Sequence, residues 1–578
     1  MRVGILVILL PVVLALVSPA GAAGAQEKWV YADVNFLVDK NVDDFIALMR
    51  RAKGLGCTAM QVKDPQFGFM GLLPQSYHRN VARARKAAQD IGIAVIPAVF
   101  PFGYSGGYLV QDMNLAAGLP VKDAPFVVKN GAAAYDPAAV PALAGGGFDE
   151  ATVAGPVGWT IQESAGNNMD LDKKVRHSGA ASLVMGNFAR LPRQAEGRCR
   201  VWQALAVKPF QYYRLTIWIK SSGLAAEPED YLLITSQDGK RRHCYTNLRV
   251  AATQDWTMHD VTFNTLEASQ IEISVGVSSA RAGTIWFDDL TIEPAGLANL
   301  LRSGTKPFTV TSADRSVTYE EGRDFKPVLD PKLGKDSFEK TYFLPFPSFA
   351  WHKGPDIVLT PGSRIRNGDT ILVSYFHPQR IYNDQVLVSL EDPKVFQLMD
   401  DQMKRVSAAW NAPGYFMNYD EIRIAGWEKQ PEGTPLPPGE LLARHVSRAA
   451  EIVKKYAPDA RVYTWSDMFT PFHNASKGDG PGYYLVNGWW YGSWEGLPKE
   501  VVIMNWSGGK EGLQFFAGRG HSQMIAGYYD GNPVESVRSW TQKVQGVPDI
   551  IGMMYTTWQN RYNDMPAFFQ ALAGWPGR

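Results

Sequence analysis

An alternation of strands and helices that breaks off in mid-chain and later resumes limits this sequence to very few architectures. Trp29–Phe36 is strand-like, and Val42–Leu55 follows with Phe45, Ile46, Met49 and Leu55 at roughly helical spacing. A strand at Thr58–Lys63, a helix at Asn80–Ile91 and a strand at Ile93–Phe100 continue the series. Strands alternating with amphipathic helices imply βαβ units and a parallel sheet. From about Gly145 to Pro294 helical periodicity vanishes, and short alternating strands take over at Ala181–Met185, Tyr213–Lys220, Tyr231–Thr235, Ile271–Val277 and Thr284–Ile292. That pattern predicts a β-sandwich. Residues 296–389 stay irregular and β-like, and Gly362–Pro378 reads as a hairpin turning at Asn367-Gly368.

The alternation then returns. A helix at Asp392–Ala409 leads into the strand Tyr415–Glu421, and a helix at Pro438–Tyr456 follows. Further strands are expected at Arg461–Trp465, Val501–Trp506, Met524–Tyr529 and Ile551–Trp558. Three parallel strands before the interruption and five after it make eight, the number that closes a TIM barrel. The expectation is an α/β protein, a (β/α)8 TIM barrel interrupted by an inserted β-sandwich. Its segments are residues 26–144 (first part of the barrel), 145–295 (sandwich), 296–389 (β-rich connection) and 390–578 (second part of the barrel). Inserted modules usually meet their host over a modest interface, so the sandwich is expected to be dispensable for chemistry.

Composition narrows the partners. Lys and Arg number 58 against 57 Asp and Glu, leaving no surplus for nucleic acid or an anionic membrane surface. Seventeen Trp and 24 Tyr suit stacking on flat apolar faces such as those of sugar rings. Arg2, the apolar run Ile5–Val17 and Ala23-Gly24-Ala25 read as a signal peptide over residues 1–25, which predicts a secreted or periplasmic protein starting near Gln26. No later stretch is apolar enough to cross a bilayer. Three cysteines exclude a disulfide scaffold; Cys199 and Cys244 fall in the same β-rich region, but spacing alone does not pair them.

In a parallel barrel the residues at the C-terminal strand ends face the ligand. The strand Tyr415–Glu421 ends in two adjacent carboxylates, Asp420 and Glu421. On a regular strand they would point to opposite faces, so they share a site only if the strand stops and the chain turns there. Side by side, each raises the cost of ionising the other, which favours one protonated carboxyl near neutral pH. The alternative is a solvated acidic pair neutralised by Arg423. The later strand ends carry Trp465-Ser466-Asp467, Asn505-Trp506, Tyr528-Tyr529-Asp530 and Thr556-Thr557-Trp558-Gln559-Asn560, tryptophan at three of them and acid at three, counting Asp420-Glu421. Pro101–Gly118, with Gly103, Tyr104, Ser105, Gly106 and Gly107, is long enough to line a site.

The order Asp-Glu, Trp-x-Asp, Trp, Tyr-x-Asp, Trp over about Pro413–Trp558 resembles glycoside hydrolase family 20, the TIM-barrel β-N-acetylhexosaminidases. The resemblance implies that Glu421 is the general acid/base and Asp420 the carboxylate orienting a 2-acetamido group. It implies Trp465, Trp506 and Trp558 as sugar-pocket walls, Tyr528 as a donor to the acetamido oxygen, and Asp530 (with Asp467) as a binder of sugar hydroxyls. The implied reaction is substrate-assisted retention on an oligo- or polysaccharide. Two departures stand out. Met417-Asn418-Tyr419 replaces the family's His-x-Gly-Gly, and the first strand, Tyr31–Phe36, lacks its arginine. His177–Leu183, Tyr213–Lys220 and Ile285–Leu290 together resemble jelly-roll carbohydrate-binding modules, which implies a structural calcium near Asp289 and no other cofactor. Competing readings are a two-carboxylate glycosidase using Asp467 or Asp530 beside Glu421, and a non-catalytic glycan-binding protein. No His pair has metalloprotease spacing and no phosphate-binding glycine loop is present.

Overall fold

A computed structural model describes residues 26–163, 168–188, 198–225, 231–236, 239–278, 280–335, 347–382, 385–430, 435–480 and 482–575. The expected signal peptide lies outside these residues. Eight parallel strands close into a barrel in chain order: β1 (Glu27–Asp33), β2 (Ala59–Lys63), β3 (Ala94–Phe102), β4 (Gly414–Tyr419), β5 (Arg461–Trp465), β6 (Val501–Asn505), β7 (Gln523–Tyr528) and β8 (Ile550–Thr556). β1 pairs with both β2 and β8, which seals the ring.

Helices α1 (Asp39–Gly54), α2 (Gln75–Ile91), α3 (Lys394–Trp410), α4 (Pro438–Tyr456), α5 (Gly509–Gly518), α6 (Pro533–Val544) and α7 (Met565–Ala571) follow or precede successive strands. The β5–β6 connection departs from the repeat. It is built from 3-10 turns and a short strand, Leu485–Val486, with no α-helix among its described residues.

Period-two alternation divides the barrel side chains into two cores. Trp29, Tyr31, Ile96, Phe416, Tyr463, Trp465, Met504, Met524 and Met554 fill the interior. Val30, Ala32, Met60, Val62, Tyr415, Met417 and Ile525 pack outward with the helices. The inward row therefore carries on, strand by strand, into whatever residue stands at each C-terminal end.

Between β3 and β4 the chain makes two further bodies. Two five-stranded antiparallel sheets form the sandwich, over a core that includes Leu183, Val201, Leu215, Ile217, Ile273, Phe287 and Leu290. Among the described residues none of its strands hydrogen-bonds into the barrel sheet. A six-stranded antiparallel sheet joins Leu119–Lys129 and Ala132–Tyr135 to Thr309–Ser312, Thr318–Tyr319, Ile357–Val358 and Thr370–His377.

This sheet corrects two expectations. Residues 119–135, assigned from sequence to the barrel's first part, belong to it instead. Thr370–His377 does not fold back on its own upstream residues through Asn367-Gly368. It pairs with Leu119–Val127 and with Thr309–Ser312. The tight hairpin lies at Asn130-Gly131, where both residues take the positive φ such a turn requires (51° and 77°). Asn367 caps that hairpin from outside, its side chain accepting from Gly131 N at 2.9 Å.

Cys57, Cys199 and Cys244 are buried free thiols. The Asp289 carboxylate is engaged by Ser178 Oγ (2.8 Å) and by His177 Nδ1 (2.6 Å). Among the described residues no group of three or more acidic, His or Cys side chains could hold a metal ion. Among the same residues no helix is long and apolar enough to cross a membrane.

Candidate active site

At the C-terminal mouth of the barrel a cavity of about 510 Å³ is lined by Tyr31, Asp33, Lys63, Tyr104, Tyr382, Asp420, Glu421, Trp465, Trp506, Thr557, Trp558 and Asn560. Most of these follow from the inward row. Asp33 continues Trp29 and Tyr31, Asp420 continues Phe416, Trp506 continues Met504, and Trp558 continues Met554.

Glu421 reaches the same cavity by a break in that row. β4 ends at Tyr419, Asp420 N donates to Phe102 O at 3.0 Å, and Glu421 takes a left-handed φ of 45°. The strand stops and the chain turns, which is what lets two neighbouring carboxylates face one space. Gly103 makes the turn possible. Its φ is 100°, and a Cβ there would stand 1.5 Å from Asp420 O.

The two carboxylates have different surroundings. Glu421 Oε2 accepts from Arg423 Nη2 at 2.7 Å and from Tyr104 OH at 3.4 Å. Arg423 is 2% exposed; its guanidinium lies 4.4 Å from the Tyr382 ring centroid and 5.2 Å from that of Tyr484. Gln385 ties the pair together, accepting from Arg423 Nη1 (2.9 Å) and donating to the Glu421 carbonyl (3.1 Å). Arg423 thus neutralises Glu421 as the alternative reading had it, but with the guanidinium buried and stacked rather than solvated.

Among the described residues Asp420 has no such ion-pair partner. Burial, then the charges of Asp467 and Glu421, hold its carboxyl well above the usual carboxylate range, against the pull of Lys63 and Arg423. Burial also raises Asp33, opposed by Lys63.

Asp467 is placed differently from the sequence expectation. It is fully buried and is not among the side chains lining the cavity. Its carboxylate accepts from Glu421 N (3.1 Å), Asn474 Nδ2 (2.9 Å) and Trp506 Nε1 (3.2 Å), so it pins the turn that presents Glu421. Burial and the Glu421 charge push its pKa up to about 7 despite those three donors.

Of the three expected tryptophans, all line the cavity. Trp465 is only 2% exposed and is anchored through Nε1 to Asn418 Oδ1 at 2.8 Å, so it forms the floor. Trp558 is 51% exposed at the rim and stacks on Tyr529 at 5.9 Å with a 17° interplanar angle. Trp506 stands edge-on to His473.

Tyr528 and Asp530 are not brought to the cavity. Three successive positive φ values at Tyr528, Tyr529 and Asp530 (97°, 62° and 63°) reverse the alternation at the end of β7. Tyr528 therefore turns to the outer layer, stacking on Tyr555 and donating to Asp564, while Tyr529 takes the place beside Trp558. The Asp530 carboxylate caps the loop after β8, accepting from Thr557 Oγ1, Trp558 N (2.7 Å) and Gln559 N (3.2 Å).

Sequence reasoning missed Tyr31, Asp33 and Lys63. The signal is present, since Asp33 and Lys63 stand at the inward ends of β1 and β2. Tyr382 and Gln385 carry no local signal at all; they reach the site from the connecting segment.

No family model matches the chain, and no curated protein matches it. Among solved structures, a carbohydrate-binding module described as CBM4 is 19% identical over 26% of this chain and 99% of that one, with a TM-score of 0.20. A Flavobacterium johnsoniae chitobiase is 14% identical over 32% of this chain and 30% of its own, TM-score 0.24. A rhamnosidase from Novosphingobium sp. PP1Y is 10% identical over 92% of this chain and 55% of its own, TM-score 0.27. Overlaps this slight assign neither fold nor chemistry.

Proposed function

We propose that the barrel mouth is the active site of a glycoside hydrolase acting on an oligo- or polysaccharide. The observation that carries the proposal is the pair of adjacent carboxylates that share one aromatic-walled cavity in different surroundings: Glu421 fixed against Arg423, and Asp420 where burial and neighbouring carboxylates disfavour its ionisation. A carboxyl that resists ionisation suits a general acid, and a second carboxylate beside it can face a developing oxocarbenium charge. The cavity volume falls in the range of ordinary ligand sites, and indole faces at floor and rim suit sugar rings.

In this mechanism Asp420 protonates the glycosidic oxygen as the anomeric C–O bond breaks, and Glu421 faces the positive charge that forms. That exchanges the roles implied by the resemblance to family 20, in which Glu421 is the acid. The resemblance to family 20 favours the substrate-assisted variant for β-linked 2-acetamido sugars, in which the acetamido oxygen attacks the anomeric carbon and water later opens the cyclised intermediate. A two-carboxylate mechanism through Asp467 or Asp530 is disfavoured, because both are consumed by backbone and side-chain donors away from the cavity.

The wider proposal reads the closed barrel as a divergent (β/α)8 barrel related to family 20, the sandwich as a carbohydrate-binding-module-like body, and residues 1–25 as an export signal. A panel of aryl β-glycosides with and without the 2-acetamido group tests substrate class. Selective turnover of the acetamido members and inhibition by a thiazoline mimic are expected. Efficient cleavage of 2-hydroxy glycosides with no thiazoline effect would remove substrate assistance, and inertness toward the whole panel would remove the glycosidase reading.

A further inference from the structure

We propose that the β-sandwich is a working part of this active site, with Tyr245 a positioning residue that holds the Tyr382–Arg423–Glu421 assembly in place. The inference rests on the glycosidase reading only for its kinetic arm. Tyr245 directly follows the sandwich strand Arg242–Cys244, yet its ring packs with the barrel's outer core rather than with the sandwich core. Its carbonyl accepts from Tyr382 N at 2.6 Å. Its ring centroid lies 5.1 Å from that of Tyr382 and 6.0 Å from that of Tyr484, the latter nearly parallel at 22°.

Those two rings are the ones over which the Arg423 guanidinium sits, and Tyr382 itself lines the cavity. Tyr245 therefore backs both aromatic supports of the cation that pairs with Glu421. A second sandwich residue steadies the same place: Arg241, 2% exposed, donates through Nη1 to Tyr484 O at 2.7 Å and to Val486 O at 3.4 Å.

The rest of the junction is independent of Tyr245. Asn264 Nδ2 donates to Pro120 O (2.9 Å), Gln379 Nε2 to His243 O (3.0 Å), and Gln211 Nε2 to Lys122 O (2.8 Å), while Tyr212 stacks on His377 at 3.5 Å. These contacts keep the sandwich docked when Tyr245 alone is changed. An effect of that change on the site is then separable from undocking.

The test compares Tyr245→Ala, Tyr245→Phe and Trp256→Ala, the last on the outer face of the sandwich. In Tyr245→Ala, kcat on an aryl glycoside should fall about 10- to 100-fold with KM within about three-fold, because a misplacement of about 1 Å at the reacting groups costs that order. Tyr245→Phe keeps ring and carbonyl and should recover most of the kcat lost in Tyr245→Ala; Trp256→Ala should match wild type. A substrate-free readout accompanies the kinetics, a carboxyl ¹³C NMR titration with the Asp420 signal assigned by its loss in Asp420→Asn. Displacing Arg423 removes a charge that draws the Asp420 carboxyl down, so its midpoint should move to higher pH in Tyr245→Ala. If Tyr245→Ala does not fold, Tyr245→Leu keeps the bulk without the flat face and is read the same way. A folded variant with wild-type kcat and an unmoved Asp420 midpoint overturns the proposal. If wild type cleaves no glycoside, the glycosidase reading fails and the titration alone decides this one.

Discussion

Gly103 shows how much of this site hangs on single atoms. A methyl group there meets the Asp420 carbonyl at 1.5 Å, on a backbone at φ 100° that side chains avoid. Gly103→Ala should cost about 3 kcal/mol or more of unfolding free energy, read by denaturant titration, because both strain and collision must be relieved. It should also abolish turnover, since the relief moves Asp420. Asp467 acts at the same scale. Its carboxyl binds Glu421 N, Asn474 and Trp506 from a fully buried position, and burial with the Glu421 charge lifts its pKa to about 7. Asp467→Ala strands a buried backbone donor at the turn that presents Glu421 and should lower kcat far more than it raises KM.

Among the elements, the 3-10 turn Pro65–Leu72 after β2 is capped by Asp64, which accepts from Gln66 N (2.9 Å), Tyr77 OH (2.8 Å) and Phe36 N (3.4 Å). Burial pushes its pKa up to about 8. The folded value lies above the unfolded one of about 4, so the fold binds this proton more tightly. The stability it contributes is full below about pH 4 and is lost as pH rises toward 8. Asp64→Asn should remove that slope, so the wild-type minus variant difference in unfolding free energy should decline steadily between pH 5 and 8; parallel curves would contradict it. The elements were also the most legible part of the sequence. All eight barrel strands and the helices at 394–410 and 438–456 lie within a few residues of their predicted places, because period-two and period-3.6 patterns are local. Tyr528 was misplaced because nothing in the residues Tyr528-Tyr529-Asp530 announces three successive positive φ values. The turn at Asn367-Gly368 is legible, but the strand after it pairs with Thr309–Ser312 and with Leu119–Val127, the latter more than 230 residues back in sequence, beyond any local signal.

At the scale of the whole molecule, the sandwich is fastened to its host by buried polar contacts through Arg241, Asn264, Gln379 and His377, and Tyr245 packs against Tyr382, which lines the cavity of Asp420 and Glu421. Deleting residues 146–294 with a Gly/Ser bridge should therefore abolish turnover of a small aryl glycoside even where the barrel keeps its native circular dichroism, the reverse of what an independent module would show. That coupling was illegible in sequence, since Tyr245 and Arg423 lie far apart and only docking brings them to one pair of rings. Barrel, connection and sandwich converge on two carboxylates, so the most direct measurement is the leaving-group dependence of kcat/KM in Asp420→Asn and Glu421→Gln across aryl glycosides. With Asp420 the proton donor, Asp420→Asn should lose about 10²- to 10⁴-fold on poor leaving groups and little on activated ones, while Glu421→Gln loses similarly on both. Selective loss in Glu421→Gln with uniform loss in Asp420→Asn would contradict the assignment.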